Sequence, residues 1–138
     1  MLALHFRRYW IAANVLLITT VTSLTIVPAI FAPTPLTDVP GIDKWLHAVT
    51  FAVLALWFTG QYARPSYWKI AAGLIAYGAA IEIGQSLIPY RTAEWGDLAA
   101  DAAGVLVGVV IALVFTGGWS MKVEAWYVDR FGRPVRNQ

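Results

Sequence analysis

IEIGQSLIPYRTAEWGDLAADAAGVLVG, residues 81–108, is the stretch on which the reading of the fold turns. Its two ends are apolar, yet Glu82, Gln85, Arg91, Glu94, Asp97 and Asp101 fall inside it. Pro89 has no amide proton and closes a helix that begins near Lys69. Asp97 opens a second apolar helix that runs to about Thr116 and ends at Gly117-Gly118. Ionisable groups this far inside apolar helices are costly, so they mark either a site or a network that ties helices together.

The chain around this stretch has the composition of a lipid-embedded protein. Of its 138 residues, 59% are hydrophobic and 13% charged, where soluble domains carry roughly 45–50% and about 25%. Mean hydropathy is +0.62. A single domain of this length cannot fold so much apolar side chain away from water. Seven Trp and six Tyr suit two membrane–water interfaces. There is no Cys, which excludes disulfides, a thiolate nucleophile and zinc–thiolate sites.

Working outward, the pattern predicts an all-α, polytopic membrane protein in one domain, 1–138, with spans at about 10–27, 45–62, 69–88 and 97–116. The first span stops at Pro28. A cleaved signal peptide is its rival, with Arg7-Arg8 as the basic region and a cut near Ala29 or Ala32. The apolar run is long for that, and an uncleaved span is expected. Residues 28–42 hold four prolines and read as a loop. Asp43 reads as the N-cap of the second span, and Arg64-Pro65-Ser66 breaks the chain before the third. After Gly118, residues 119–131 place Trp119, Val123, Trp126 and Tyr127 on one helical face, as in a short interfacial helix.

Orientation follows from the basic residues. With four spans both termini share a side, and Arg7, Arg8, Arg64, Lys69, Lys122, Arg130, Arg133 and Arg136 lie there with them. Only Lys44 and Arg91 of the ten Lys and Arg fall on the other side. That split predicts cytoplasmic termini and outward-facing polar residues. The same logic assigns the basic groups to topology, so nucleic acid is excluded as a partner. Two stripes of small residues, Ala72/Ala76/Ala80/Gly84 and Ala100/Gly104/Gly108/Ala112, predict close packing of the third span on the fourth.

The outer ends bring three pieces to similar depth: Asp43, Lys44 and His47; Glu82 and Gln85; Asp97 and Asp101, with Arg91 above them. His47, Glu82, Gln85 and Asp101 are expected to share a pocket. Glu82 is expected either to pair with a cation such as Lys44 or to hold its proton. Each residue also has a bland reading: Asp43 and Asp97 as caps, Lys44 and Arg91 snorkelling to headgroups, His47 as a hydrogen-bonded core residue, Gln85 satisfying Glu82, and Glu94 as a solvated loop acid.

Asp43-Lys44-Trp45-Leu46-His47, Glu82-Ile83-Gly84-Gln85, Pro89, Arg91, Asp97, Asp101, Gly104 and Gly108 resemble, in order and spacing, the pattern of the VanZ-like family. These are small bacterial membrane proteins named after a teicoplanin-resistance accessory protein. The resemblance covers residues 43–108. It departs at Asp101, where the family usually has Asn, which adds a possible negative charge. It implies an integral protein of the bacterial cytoplasmic membrane, linked in some members to resistance to lipoglycopeptide antibiotics. It supplies no reaction.

Three functions are open on these residues. A binding module for an envelope lipid or lipid-like antibiotic would use Lys44 and Arg91 on phosphate or carboxylate, with Asp43, His47, Glu82, Gln85, Asp97 and Asp101 lining the pocket. An enzyme acting on a membrane lipid would use His47 or Glu82 as acid–base groups, with Asp97 and Asp101 as their partners or as oxygen ligands for a divalent cation. No Gly-x-Ser-x-Gly, Walker loop or His-Glu-x-x-His accompanies them, and neither a cofactor nor a dedicated metal site is expected. A small proton-coupled transporter is the third, but nothing polar leads from the site toward Arg64 or Lys69.

Overall fold

The computed structural model describes residues 1–31, 41–88 and 94–132. Arg91, Pro89 and most of the proline-rich 28–42 segment lie outside the described residues. Among those described, all regular structure is helical: α1 (Arg7–Phe31), α2 (Ile42–Thr59), α3 (Tyr67–Ser86), α4 (Trp95–Ile111) and α5 (Trp119–Phe131). A 3₁₀ turn, Arg64–Ser66, joins α2 to α3, and a π turn, Ala112–Thr116, extends α4. Two stretches, Arg7–Ile26 and Trp95–Thr116, are long and apolar enough to cross a membrane.

The ends of the helices give their order. The Leu2 amide donates to the Gln61 carbonyl at 2.8 Å, which puts the start of α1 beside the end of α2. At the far end, Lys44 of α2 reaches Asp97 of α4 at 3.3 Å, and Gln85 of α3 reaches the Thr25 carbonyl of α1 at 3.3 Å. Consecutive helices from α1 to α4 therefore run antiparallel, and α2 and α4 start from the same end.

The boundaries differ from expectation in instructive ways. α1 continues through Pro28 to Phe31. A proline removes one amide bond and crowds the preceding turn, a loss that membrane helices tolerate. α2 starts at Ile42, not Trp45, and its N-cap is Gly41, at φ 77°. Glycine enters that left-handed conformation without a Cβ clash. Asp43 is thus not the cap; it lies in the first turn, where the helix dipole still favours an anion. α4 starts at Trp95 with Glu94 in the cap position and no side-chain cap bond, so Asp97 is not a cap either.

The core consists of Phe51, Leu54 and Ala55 from α2, Leu74 and Ile81 from α3, and Val105 from α4, with Leu17, Ile18 and Val21 of α1 against it. α4 packs most closely on α2. A Cβ at Gly104 would fall on the Ala48 carbonyl, and one at Gly108 on Ala52 and Ala55. This corrects the expected pairing of the small-residue stripes. The α4 glycines face Ala48, Ala52 and Ala55 of α2, while Gly84 of α3 faces Ile26 of α1, at 3.7 Å from a Cβ built there. α3 does meet α4, but through Gly78, which lies against the Asp101 carboxylate.

α1 is fastened by its few polar groups. The Trp57 indole donates to Asn14 Oδ1 at 2.7 Å, and Asn14 and Gln61 exchange two amide bonds of 2.9 Å. Thr22 and Tyr77 join their hydroxyls at 2.7 Å. The outward faces stay apolar: Val15, Leu16, Leu24, Leu106, Val110, Val114 and Phe115 are all exposed. Exposed apolar side chains in this number mark a surface that meets a membrane or another protein.

Candidate functional site

The starts of α2 and α4 and the end of α3 meet in a polar cluster with two layers. The outer layer centres on Lys44. Its ammonium donates to Asp43 Oδ2 at 3.0 Å, Glu94 Oε2 at 3.1 Å and Asp97 Oδ1 at 3.3 Å. The side chains of Lys44, Asp43 and Glu94 are about half exposed, whereas that of Asp97 is 10% exposed. Glu94 is solvated, as expected, and is also part of the site.

The inner layer is more buried. His47 Nδ1 lies 2.8 Å from Asp101 Oδ1. A carboxylate only accepts, so Nδ1 carries the proton and donates. His47 Nε2 then faces Asp97 Oδ2 at 3.8 Å. Asp97 and Asp101 reach one imidazole together because residues four apart share a helix face. Glu82 Oε2 accepts the Glu94 amide at 3.0 Å. Among the described residues, Glu82 Oε1 and Asp101 Oδ2 are buried without a hydrogen-bond partner.

Of the expected site residues, Asp43, Lys44, His47, Glu82, Asp97 and Asp101 are brought together. Gln85 is not: it is turned to α1, where its amide donates to Thr25. Lys44 does not pair with Glu82, because the nearer acids of α4 and its own helix hold the ammonium. Arg91 lies outside the described residues.

The ion pair at the rim is insensitive to pH over a wide window. The hydrogen bond from Lys44 holds the Asp43 carboxyl below its ordinary value of 3.8. Bonds to Asp43, Glu94 and Asp97 hold the Lys44 ammonium above its ordinary 10.5. A lowered acid contributes stability above its unfolded value and loses it as pH falls through the folded one. A raised amine contributes below its unfolded value and loses it as pH rises through the folded one. The stability difference between wild type and Lys44→Met should therefore stay flat from about pH 5 to about pH 9 and shrink only outside that range. Thermal unfolding across pH checks this, and a slope inside the window would show that the pair is not formed.

At the opposite end lies a cluster that the sequence reading passed over. Glu124 of α5, 7% exposed, accepts the His5 amide at 2.7 Å, the Phe6 amide at 2.9 Å and the Trp10 indole at 2.7 Å. Trp10, Trp57 and Trp119 pack beside it with ring centroids 5.5–5.7 Å apart. A helix thus forms over 119–131, with the expected bounds, and its one buried acid is committed to the start of α1.

A family model described as VanZ/LLP1 matches residues 4–116. No curated protein and no solved structure matches the chain. The match spans the described chain from before α1 to the end of the π turn, and the chain belongs to the VanZ/LLP1 family. Family membership and the two apolar helices together point to a membrane protein.

Proposed function

We propose that this VanZ/LLP1-family protein is a single four-span domain of the bacterial cytoplasmic membrane, with cytoplasmic termini, that engages an envelope lipid or a lipid-like antibiotic at its outward polar cluster. The observation that carries the reading is the half-exposed rim of Lys44, Asp43 and Glu94 above part-buried His47 and buried Asp101. Exposed Trp45, Leu87 and Trp95 flank that rim. A headgroup can approach it from the lipid side, with its acyl chains along the exposed helix faces. Lys44 is already shared by three carboxylates, so a ligand that carries both an anionic group and an amine fits better than a bare phosphate. The anion would compete for Lys44 and Arg91, and the amine would meet Asp43 and Glu94. Resistance to a teicoplanin-like lipoglycopeptide would follow from such binding.

Purified protein should retain envelope lipid in a native mass measurement, and Lys44→Ala and Arg91→Ala should each lower its occupancy several-fold. Unchanged occupancy in both variants removes the reading. The orientation is checked separately: a cysteine placed at Ala93 should react with an impermeant reagent from outside, and one at Ser66 should not.

The pairing of His47 with Asp101 favours a second reading. An imidazole oriented by a carboxylate, with its other nitrogen directed into a site, is the usual geometry of a general base. If the protein modifies a lipid, His47→Ala should fold normally and abolish a change in membrane lipid composition.

A further inference from the structure

We infer that His47 Nε2, the Glu82 carboxylate and Asp97 Oδ2 form a binding site for one divalent transition-metal cation, of the Zn²⁺ or Mn²⁺ type. These three residues each offer a ligand atom, and the atoms lie within 4.8 Å of one another. They come from α2, α3 and α4, so no local spacing reveals the set. This runs against the expectation from sequence that no metal is held.

Three observations point to a cation there. Glu82 is 5% exposed, and its Oε1 is buried with no partner among the described residues. A buried carboxylate oxygen left so is costly unless something positive meets it. Next, Asp101 occupies Nδ1 of His47 at 2.8 Å, which leaves Nε2 turned toward Asp97. A carboxylate on one imidazole nitrogen and a metal on the other is the standard support for a ligating histidine. It sets the ring, fixes the tautomer and raises basicity at Nε2. Finally, among the described residues the cluster is short of positive charge. Among the described residues, the acids Asp43, Glu82, Glu94, Asp97 and Asp101 face Lys44 and His47 alone.

The geometry needs little change. Ligands at 2.0–2.2 Å from a tetrahedral ion stand about 3.4 Å apart, so the set must contract by roughly an ångström, within reach of the Glu82 side-chain rotamers. One imidazole with two carboxylates suits Zn²⁺ or Mn²⁺ better than Ca²⁺, which takes only oxygen. The neighbouring acids Asp43 and Glu94 are not the site: they are exposed, and Lys44 lies among them.

The test uses the full chain in detergent, stripped with a chelator and titrated with Zn²⁺ alone by calorimetry, so it does not depend on the lipid-binding reading. One ion per chain is expected. His47→Ala and Glu82→Gln should each weaken binding at least tenfold. Asp101→Asn should weaken it by about 10–100-fold through loss of the support to His47. Glu94→Gln should leave it unchanged. Absence of binding overturns the inference, as does binding that survives His47→Ala but fails in Glu94→Gln. Should the variants not fold, wild type loaded with Mn²⁺ decides the matter. Its electron spin-echo signal should show imidazole nitrogen coupling, and a spectrum without nitrogen overturns the site.

Discussion

Gly104→Leu should yield no folded protein in detergent, and Gly104→Ala should lower stability by about 1–3 kcal/mol. The reason is the parallel contact of α2 with α4. A Cβ at Gly104 would be driven into the Ala48 carbonyl, carbon and Cα. Those are backbone atoms of a neighbouring helix, so no rotamer change can relieve the contact, and the helices must separate. Separation reaches Val105 and Ala55, both 0% exposed, and Phe51, and it also pulls His47 away from Asp101. The propensity term has the opposite sign, because Gly to Ala in a helix gains up to about 1 kcal/mol. Gly73→Ala isolates that term, since nothing lies within 4 Å of a Cβ there. It should be neutral or stabilising. Thermal unfolding followed by Trp fluorescence and size-exclusion chromatography checks both variants. A Gly104→Ala protein as stable as Gly73→Ala would mean that the α2 and α4 backbones do not touch.

That pairing also shows where legibility in the sequence ended. The helices themselves could be read, because apolar runs separated by Pro, Gly and charge leave few alternatives. The tail helix could be read to its bounds, since Gly118 and Gly132 bracket it with φ of 71° and 74°. Meeting of Asp97 and Asp101 with His47 followed from equal depth on helices that start from the same end. The partner of each small-residue face did not follow. Ala48, Ala52 and Ala55 form a third such face on α2, at spacings of four and three, and periodicity identifies a face without saying which face it meets. Gln85 shows the same limit: its distance from Glu82 along α3 allowed an internal pair, but its amide turns to a carbonyl of α1. Glu94 is solvated, as expected, but it does more than that. Its side chain also meets Lys44, and its backbone amide donates to Glu82 Oε2, a contact no side-chain pattern encodes.

Glu124→Ala is expected to release the start of α1. Helices leave their first amides without internal partners, and a carboxylate near them is favoured by the dipole as well. Here that carboxylate comes from a residue 119 positions away in sequence from His5. In a tail that also carries Lys122, Asp129 and Arg130, one more acid reads as solvated, which is why it escaped notice. Alanine would strip the acceptor from the His5 and Phe6 amides and from the Trp10 indole at once. Each hydrogen bond to a charged group contributes about 1.5–3 kcal/mol, so the loss is several kcal/mol where a domain has about 5–15 in total. Glu124→Gln should be milder but not neutral: its amide oxygen can still accept from Phe6 and Trp10, while its NH₂ would face the His5 amide, donor against donor. Trypsin reports the effect directly at Arg7 and Arg8. Cleavage there should be fastest in Glu124→Ala, intermediate in Glu124→Gln and unchanged in Asp129→Ala, an exposed acid on the same helix. Equal rates in wild type and Glu124→Ala would show that α5 does not hold the start of α1.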